Sequence, residues 1–193
     1  MNYIINKNCV YEYEIKKSKF ISLIYSINST LQIKNILGDL KKEYSDATHI
    51  CYAYVLKEDG IKEKAVDNGE PSGTAGKPIL DCIKKNNMVN TLIVVIRYFG
   101  GIKLGAGGLV RAYNSSAKFV IEENKQYIVP YIEYENITLE IKYNKFEEFK
   151  NFCNKNNINI INSKFKEKVE VEISFKKGSD FNFESYKNWS AKE

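Results

Sequence analysis

The chain has 193 residues, 44% hydrophobic and 27% charged, with a formal net charge of +5. These are the proportions of a soluble globular protein with material for one large or two small domains. The longest apolar run, Leu92–Ile96, is too short to span a bilayer, so no membrane association is expected. No basic segment leads into an apolar one at the N-terminus, and Cys9, Cys51, Cys82 and Cys153 are scattered without a Cys-x-x-Cys pair. A secretory leader, a disulfide framework and a zinc site are therefore not expected, and a cytoplasmic location is.

In chain order, Val10–Ile15 and Phe20–Ile27 read as strands parted by the polar Lys16-Lys17-Ser18-Lys19. Ser29-x-x-Gln32 fits a capping box, and Ile33, Ile36, Leu37, Leu40 and Tyr44 recur on one helical face. His49–Leu56 is an apolar, aromatic strand, followed by a polar loop to Gly73. Thr74 is the expected cap of a helix with Pro78 in its first turn and Ile79, Cys82 and Ile83 turned inward. Thr91–Tyr98, apolar and β-branched, reads as a strand covered on both faces. A helix runs from about Gly107 to Glu123, with Leu109, Val110, Tyr113, Ala117, Val120 and Ile121 as its buried stripe.

Strand patterns resume near Val129-Pro130, which divides the chain into domains 1–127 and 128–193. The second reads strand, helix, strand, strand, helix. Ile137, Leu139, Ile141 and Tyr143 alternate. Phe146, Phe149 and Phe152 share a helix ending near Asn156, Ile158–Ile161 and Val169–Phe175 are strands, and a last helix carries Phe183, Tyr186 and Trp189. The expected class is α+β, two-layer α/β sandwiches, the second close to a ferredoxin-like unit lacking its final strand.

The segment Arg97–Tyr113 holds five of the 11 glycines and both arginines of the chain. Arginine offers a planar fork where lysine offers a mobile point charge. Two glycine-rich loops each lead into a helix: Asp67–Lys77, and Phe99–Gly108 after the apolar strand. Bare amides at a helix start, with the positive end of the dipole behind them, favour an anion. Arg97, Lys103, Gly105, Gly107, Gly108 and Arg111 are the expected anion- or nucleic-acid-binding set. His49, Asp67, Glu70, Ser72, Gly73, Thr74 and Lys77 form the second loop of the site. The alternative is architectural: tight turns, with Arg97 and Arg111 paired to Asp67 and Glu70.

Gly100 to Gly105 has P-loop glycine spacing, but Ala106-Gly107 stands where Lys-Ser/Thr is required, and Gly105-x-Gly107-x-x-Val110 lacks the third glycine of a dinucleotide fingerprint. Ser72 is not in a nucleophile elbow, and nothing in the sequence brings it to His49 and Asp67. The single histidine rules out a His-rich metal centre, leaving a carboxylate-held Mg²⁺ at Asp67 and Glu70 as the alternative. No catalytic residue, cofactor or metal is expected.

Asp67–Leu80, Arg97–Tyr113, the Ala47–Tyr54 segment and the opening Glu14-Ile-Lys-Lys-Ser-Lys-Phe-Ile resemble the Impact family, also called the YigZ family. The match covers roughly residues 1–125, and the remainder resembles more loosely the small C-terminal domain of bacterial members. Val66 and Asn68 stand where the family usually has Ser and a second Asp, which weakens a metal role. The resemblance implies a first domain like the second domain of ribosomal protein S5 and a ferredoxin-like second domain. It also implies a setting in nucleic acid binding or translation; the kinase-pathway role of eukaryotic members depends on other partners and is not carried over.

The expected function is a non-enzymatic binding protein, associated with RNA or a ribosomal component and acting in translation, with a monomer favoured. The alternatives are a protein–protein regulator with structural glycine loops, and a hydrolase or transferase acting on a phosphate-bearing small molecule through Asp67, Glu70 or Ser72.

Overall fold

The computed structural model describes residues 1–58 and 60–179. The chain divides into two compact units, Met1–Tyr131 and from Ile132 onward.

The first unit is built on an antiparallel sheet of five strands. These are β2 (Cys9–Ile15), β3 (Ser18–Ser26), β4 (His49–Lys57), β5 (Ile61–Val66) and β6 (Thr91–Tyr98), in the order β2-β3-β6-β4-β5. The short β1 (Tyr3–Ile5) pairs outside this sheet with β7 (Ile128–Pro130), so the first unit extends past residue 127. β6 lies at the centre and is buried along seven of its eight residues. Its alternation sends Ile93 and Val95 to one face and Leu92, Val94 and Ile96 to the other. On the first face lie α2 (Gly76–Lys85) and α3 (Ala106–Glu122), which bring Ile79, Ile83, Leu109, Tyr113 and Val120 into one core. On the second, α1 (Thr30–Glu43) contributes Ile33 and Leu40 to another.

Local chemistry explains most of these elements. Ser29 caps α1, its hydroxyl accepting from the Gln32 amide at 3.2 Å, while Gln32 Oε1 accepts from the Asn28 amide at 2.9 Å. β5 lies where a polar loop was expected. Its Ile-Lys-Glu-Lys-Ala-Val sequence has no apolar face because it is an exposed edge strand, and charged side chains keep such an edge from pairing further. α3 also differs in detail. Val110 is exposed at 39%, while Ala112 and Ser116 complete the buried stripe.

The second unit contains β8 (Tyr134–Ile141), α4 (Phe146–Lys155), β9 (Asn159–Phe165) and β10 (Val169–Lys176) in an antiparallel sheet ordered β8-β10-β9. Among the described residues this is the strand order of a split βαβ unit, the ferredoxin-like arrangement without its fourth strand. Phe149 and Cys153 of α4 pack on Ile141, Val169, Val171, Ile173 and Phe175. Tyr143, expected to continue β8, instead sits in a short 3₁₀ turn. The expected last helix with Phe183, Tyr186 and Trp189 lies outside the described residues.

Candidate functional site

Register builds the site. Across three strands, Phe20 lies opposite Arg97 and Arg97 opposite His49. With Cys51 two residues after His49, these side chains share the α2/α3 face of the sheet. The two glycine-rich loops close over that end.

The loops look alike in sequence but differ in state. In the first, Thr74 does not cap α2; its hydroxyl donates to the Pro71 carbonyl at 2.7 Å. Asp67 takes the capping role from outside the helix. Its Oδ2 accepts from the Gly73 amide at 2.8 Å, and its Oδ1 accepts from the amides of Ala75 at 2.9 Å and Gly76 at 2.8 Å. Burial alone would raise the Asp67 carboxyl, but these three amides outweigh it and hold it below its usual value. Gly76 is required by close approach, since a Cβ there would sit 2.3 Å from the Val66 nitrogen. The α2 terminus is thus filled by a carboxylate of the chain itself.

The second loop has no such plug. Gly105, at φ 71°, is the N-cap of the 17-residue α3, and no side chain caps it. The first intrahelical bond runs from the Leu109 amide to the Gly105 carbonyl, leaving the Ala106, Gly107 and Gly108 amides without a helical partner. This terminus opens on a hollow of about 360 Å³, where Lys103, Gly105 and Ala106 meet His49, Glu70 and Arg97. Pro71, Phe99, Leu104 and Leu109 supply its apolar wall.

Arg97 and Glu70 form the floor. Arg97 Nη1 donates to Glu70 Oε1 at 2.7 Å, with the two side chains only 6% and 3% exposed. The guanidinium lies between Phe20 and Phe99, 5.6 and 5.5 Å from their ring centres. Its Nη2 reaches Ser18 Oγ at 3.4 Å, and that oxygen also accepts from the Gly100 amide at 3.2 Å. The Tyr113 hydroxyl donates to the same Glu70 oxygen at 2.8 Å, and the Cys51 sulfur lies 3.4 Å from the tyrosine oxygen. Burial pushes the Cys51 thiol up to about 12 and the Tyr113 phenol far above its usual value, the latter helped by Cys51 and Glu70 beside it. His49 is 21% exposed. Its Nδ1 sits 3.2 Å from the Asn68 carbonyl oxygen and its Nε2 3.9 Å from Glu70 Oε1.

The expected residues therefore separate. Arg97 takes the paired alternative, with Glu70 and not with Asp67. Arg111 forms no ion pair among the described residues and reaches back over α3, its Nη1 3.9 Å from the position a Gly107 Cβ would occupy. It lines a second hollow of about 370 Å³ with Gly73 and Lys77, and Lys77 pairs there with Asp81. Arg97 and Arg111 thus do not line a common hollow. Gly108 packs on Leu104, and Ser72 is exposed beside the loop. The sequence reading missed Ser18 and Cys51, whose signal lies in strand register rather than in any local motif. Among the described residues, no group of three or more His, Cys, Asp or Glu side chains is gathered to hold a metal ion.

The fold and site define a two-unit α+β protein, its first unit a mixed sheet-and-helix domain with two glycine loops closing one strand end. The Impact N-terminal domain profile matches residues 16–121. The chain is 48% identical over 106 residues to the IMPACT family member YvyE of Bacillus subtilis, covering 55% of this chain and 49% of that one. It is 31% identical over 172 residues to an IMPACT family member of Haemophilus influenzae, covering 88% and 82%. YigZ of Escherichia coli is 33% identical over 164 residues, covering 83% and 79%. The crystal structure of a hypothetical protein superposes with a TM-score of 0.70 at 29% identity, covering 90% of this chain and 84% of the other. The chain belongs to the Impact family, as the motifs in its two glycine loops imply.

Proposed function

We propose that the protein is a non-enzymatic, cytoplasmic binding protein that takes a phosphate-bearing ligand, RNA or a ribosomal component, at the α3 terminus and through it influences translation. One observation carries the reading: the α2 terminus is occupied by Asp67, whereas the α3 terminus faces a hollow with Lys103 beside it. Asp67 shows how an anion sits on such amides. The open α3 amides offer the same dipole and the same donors to an outside oxyanion. Lys103 and, around the helix, Arg111 add charge, and neither forms an ion pair among the described residues. Such contacts position a phosphate backbone without reading its sequence. Arg97 supports the site from its floor instead of supplying a free fork. The hydrolase alternative loses Asp67, both of whose oxygens are engaged by backbone amides.

Filter binding of RNA across a salt series tests the proposal. A Lys103→Ala, Arg111→Ala double variant removes two exposed cations outside the core. It is expected to weaken binding and to reduce the salt slope by roughly 1.4, at about 0.7 per phosphate contact. Unchanged affinity and slope would refute it.

A further inference from the structure

On the opposite face of the first unit's sheet lies a larger hollow, about 500 Å³, between α1 and the β4–β5 edge. We propose that it docks a short run of single-stranded RNA, with bases on Tyr52 and Tyr54 and phosphates on Lys34, Lys41 and Lys64. This does not rest on the α3 reading; it concerns a different surface.

Three features converge. The lining contains no carboxylate, and Lys34, Lys41 and Lys64 form no ion pair among the described residues. Nearby lysines do pair: Lys62 with Glu58 and Lys84 with Glu63. The charged side chains lining the hollow are therefore of one sign, with Glu58, bonded to Thr30 and paired with Lys62, at its rim. Second, Tyr52 and Tyr54 alternate along β4, so both side chains lie on the α1 face of the sheet, half-buried against that core and lining the hollow. Aromatic side chains at alternate strand positions make a platform on which successive bases stack. Third, Gly38 sits inside the 14-residue α1, and a Cβ built on it meets nothing within 4 Å. Glycine costs a helix interior stability. Here it leaves the space above the tyrosines unfilled.

The spacing of the cations selects the occupant. Lys34 and Lys41 are seven residues apart on α1, two turns and roughly 10 Å along the axis. They leave the helix two turns apart, with Lys64 on β5 across the hollow, a spacing suited to successive phosphates. A phosphodiester backbone satisfies that spacing while its bases occupy the ring faces. An acidic peptide would use the lysines and leave the rings idle.

Fluorescence anisotropy with a labelled oligouridylate, on the full chain, tests this. Gly38→Phe fills the hollow and keeps every charge; Gly38→Ala leaves it open and serves as the folding control. Binding is expected to fall about tenfold or more in Gly38→Phe, from loss of base stacking, and to be retained in Gly38→Ala. Lys34→Glu, Lys41→Glu, Lys64→Glu together are expected to lower the salt slope by roughly 2. These losses are expected to persist when Lys103 and Arg111 are also alanine, which separates this surface from the α3 terminus. The proposal is overturned if wild-type protein does not bind, or if the lysine variant binds as wild type. It is also overturned if a folded Gly38→Phe protein binds unchanged, or if polyglutamate competes as well as RNA. Should the phenylalanine variant not fold, the lysine variant, confined to exposed side chains, decides alone.

Discussion

Arg97 and Glu70, 27 residues apart in sequence, meet at 2.7 Å, one on the central strand and one on the first glycine loop, with both side chains buried. The pair ties the end of the central strand to the Asp67–Lys77 loop, with Tyr113 of α3 donating to the same carboxylate oxygen. Removing one partner leaves the other buried and uncompensated. Arg97→Ala is expected to cost roughly 3–5 kcal/mol of stability. Arg97→Met with Glu70→Leu is expected to be destabilised by clearly less than the two single changes added together. Urea unfolding of the three variants measures the coupling. Additive costs would show that the pair does not act as a unit.

Asp67 is the internal anion of the first loop. A carboxylate whose folded pKa lies below its unfolded value stabilises the fold above about pH 3.9 and loses that contribution as pH falls through the folded value. Asp67→Asn removes the charge and turns an amide group toward backbone N–H donors. It is expected to cost roughly 0.5–2 kcal/mol at neutral pH, with the gap to wild type closing below about pH 4. Denaturant melts at both ends of that range check it; a constant gap would contradict the assignment.

Cys51 has its thiol pushed up to about 12, chiefly by burial, in the network behind Glu70. The thiolate is the reactive form. Cys51 is therefore expected to resist a maleimide at mildly alkaline pH while the protein is folded and to react after unfolding. Mass spectrometry of the labelled peptides reads the outcome.

Two helical glycines are expected to behave in opposite ways. Gly76→Ala drives a Cβ into the Val66 backbone and is expected to cost roughly 1–3 kcal/mol. Gly38→Ala meets open space inside α1 and is expected to gain about 1 kcal/mol. Thermal melts of the two variants make the comparison.

Elements announced by local chemistry were legible in the sequence. The largely apolar and β-branched run at Thr91–Tyr98 specifies a doubly covered strand, and Ser29 with Gln32 specifies the start of α1. β5 was hidden because an exposed edge strand of alternating Lys and Glu carries no apolar period. The α2 cap was assigned to Thr74 because capping rules look one residue upstream, whereas Asp67 acts from nine residues before Gly76. The two glycine loops were visible in the sequence, and their family motifs were specific. Which loop is open and which is plugged was not visible, since that depends on where one carboxylate folds back. Nor was the split between Arg97 and Arg111, which follows from strand register on one side and helical phase on the other.

The central claim is that one helix terminus accepts an outside anion and the other does not. Backbone amide shifts on titration with inorganic phosphate, read in the ¹⁵N-labelled protein, test this most directly. The account predicts saturable shifts at Ala106, Gly107 and Gly108, with the Gly73, Ala75 and Gly76 amides unmoved. Shifts at the Asp67-bound amides in place of the α3 amides, or none at either terminus, would contradict it.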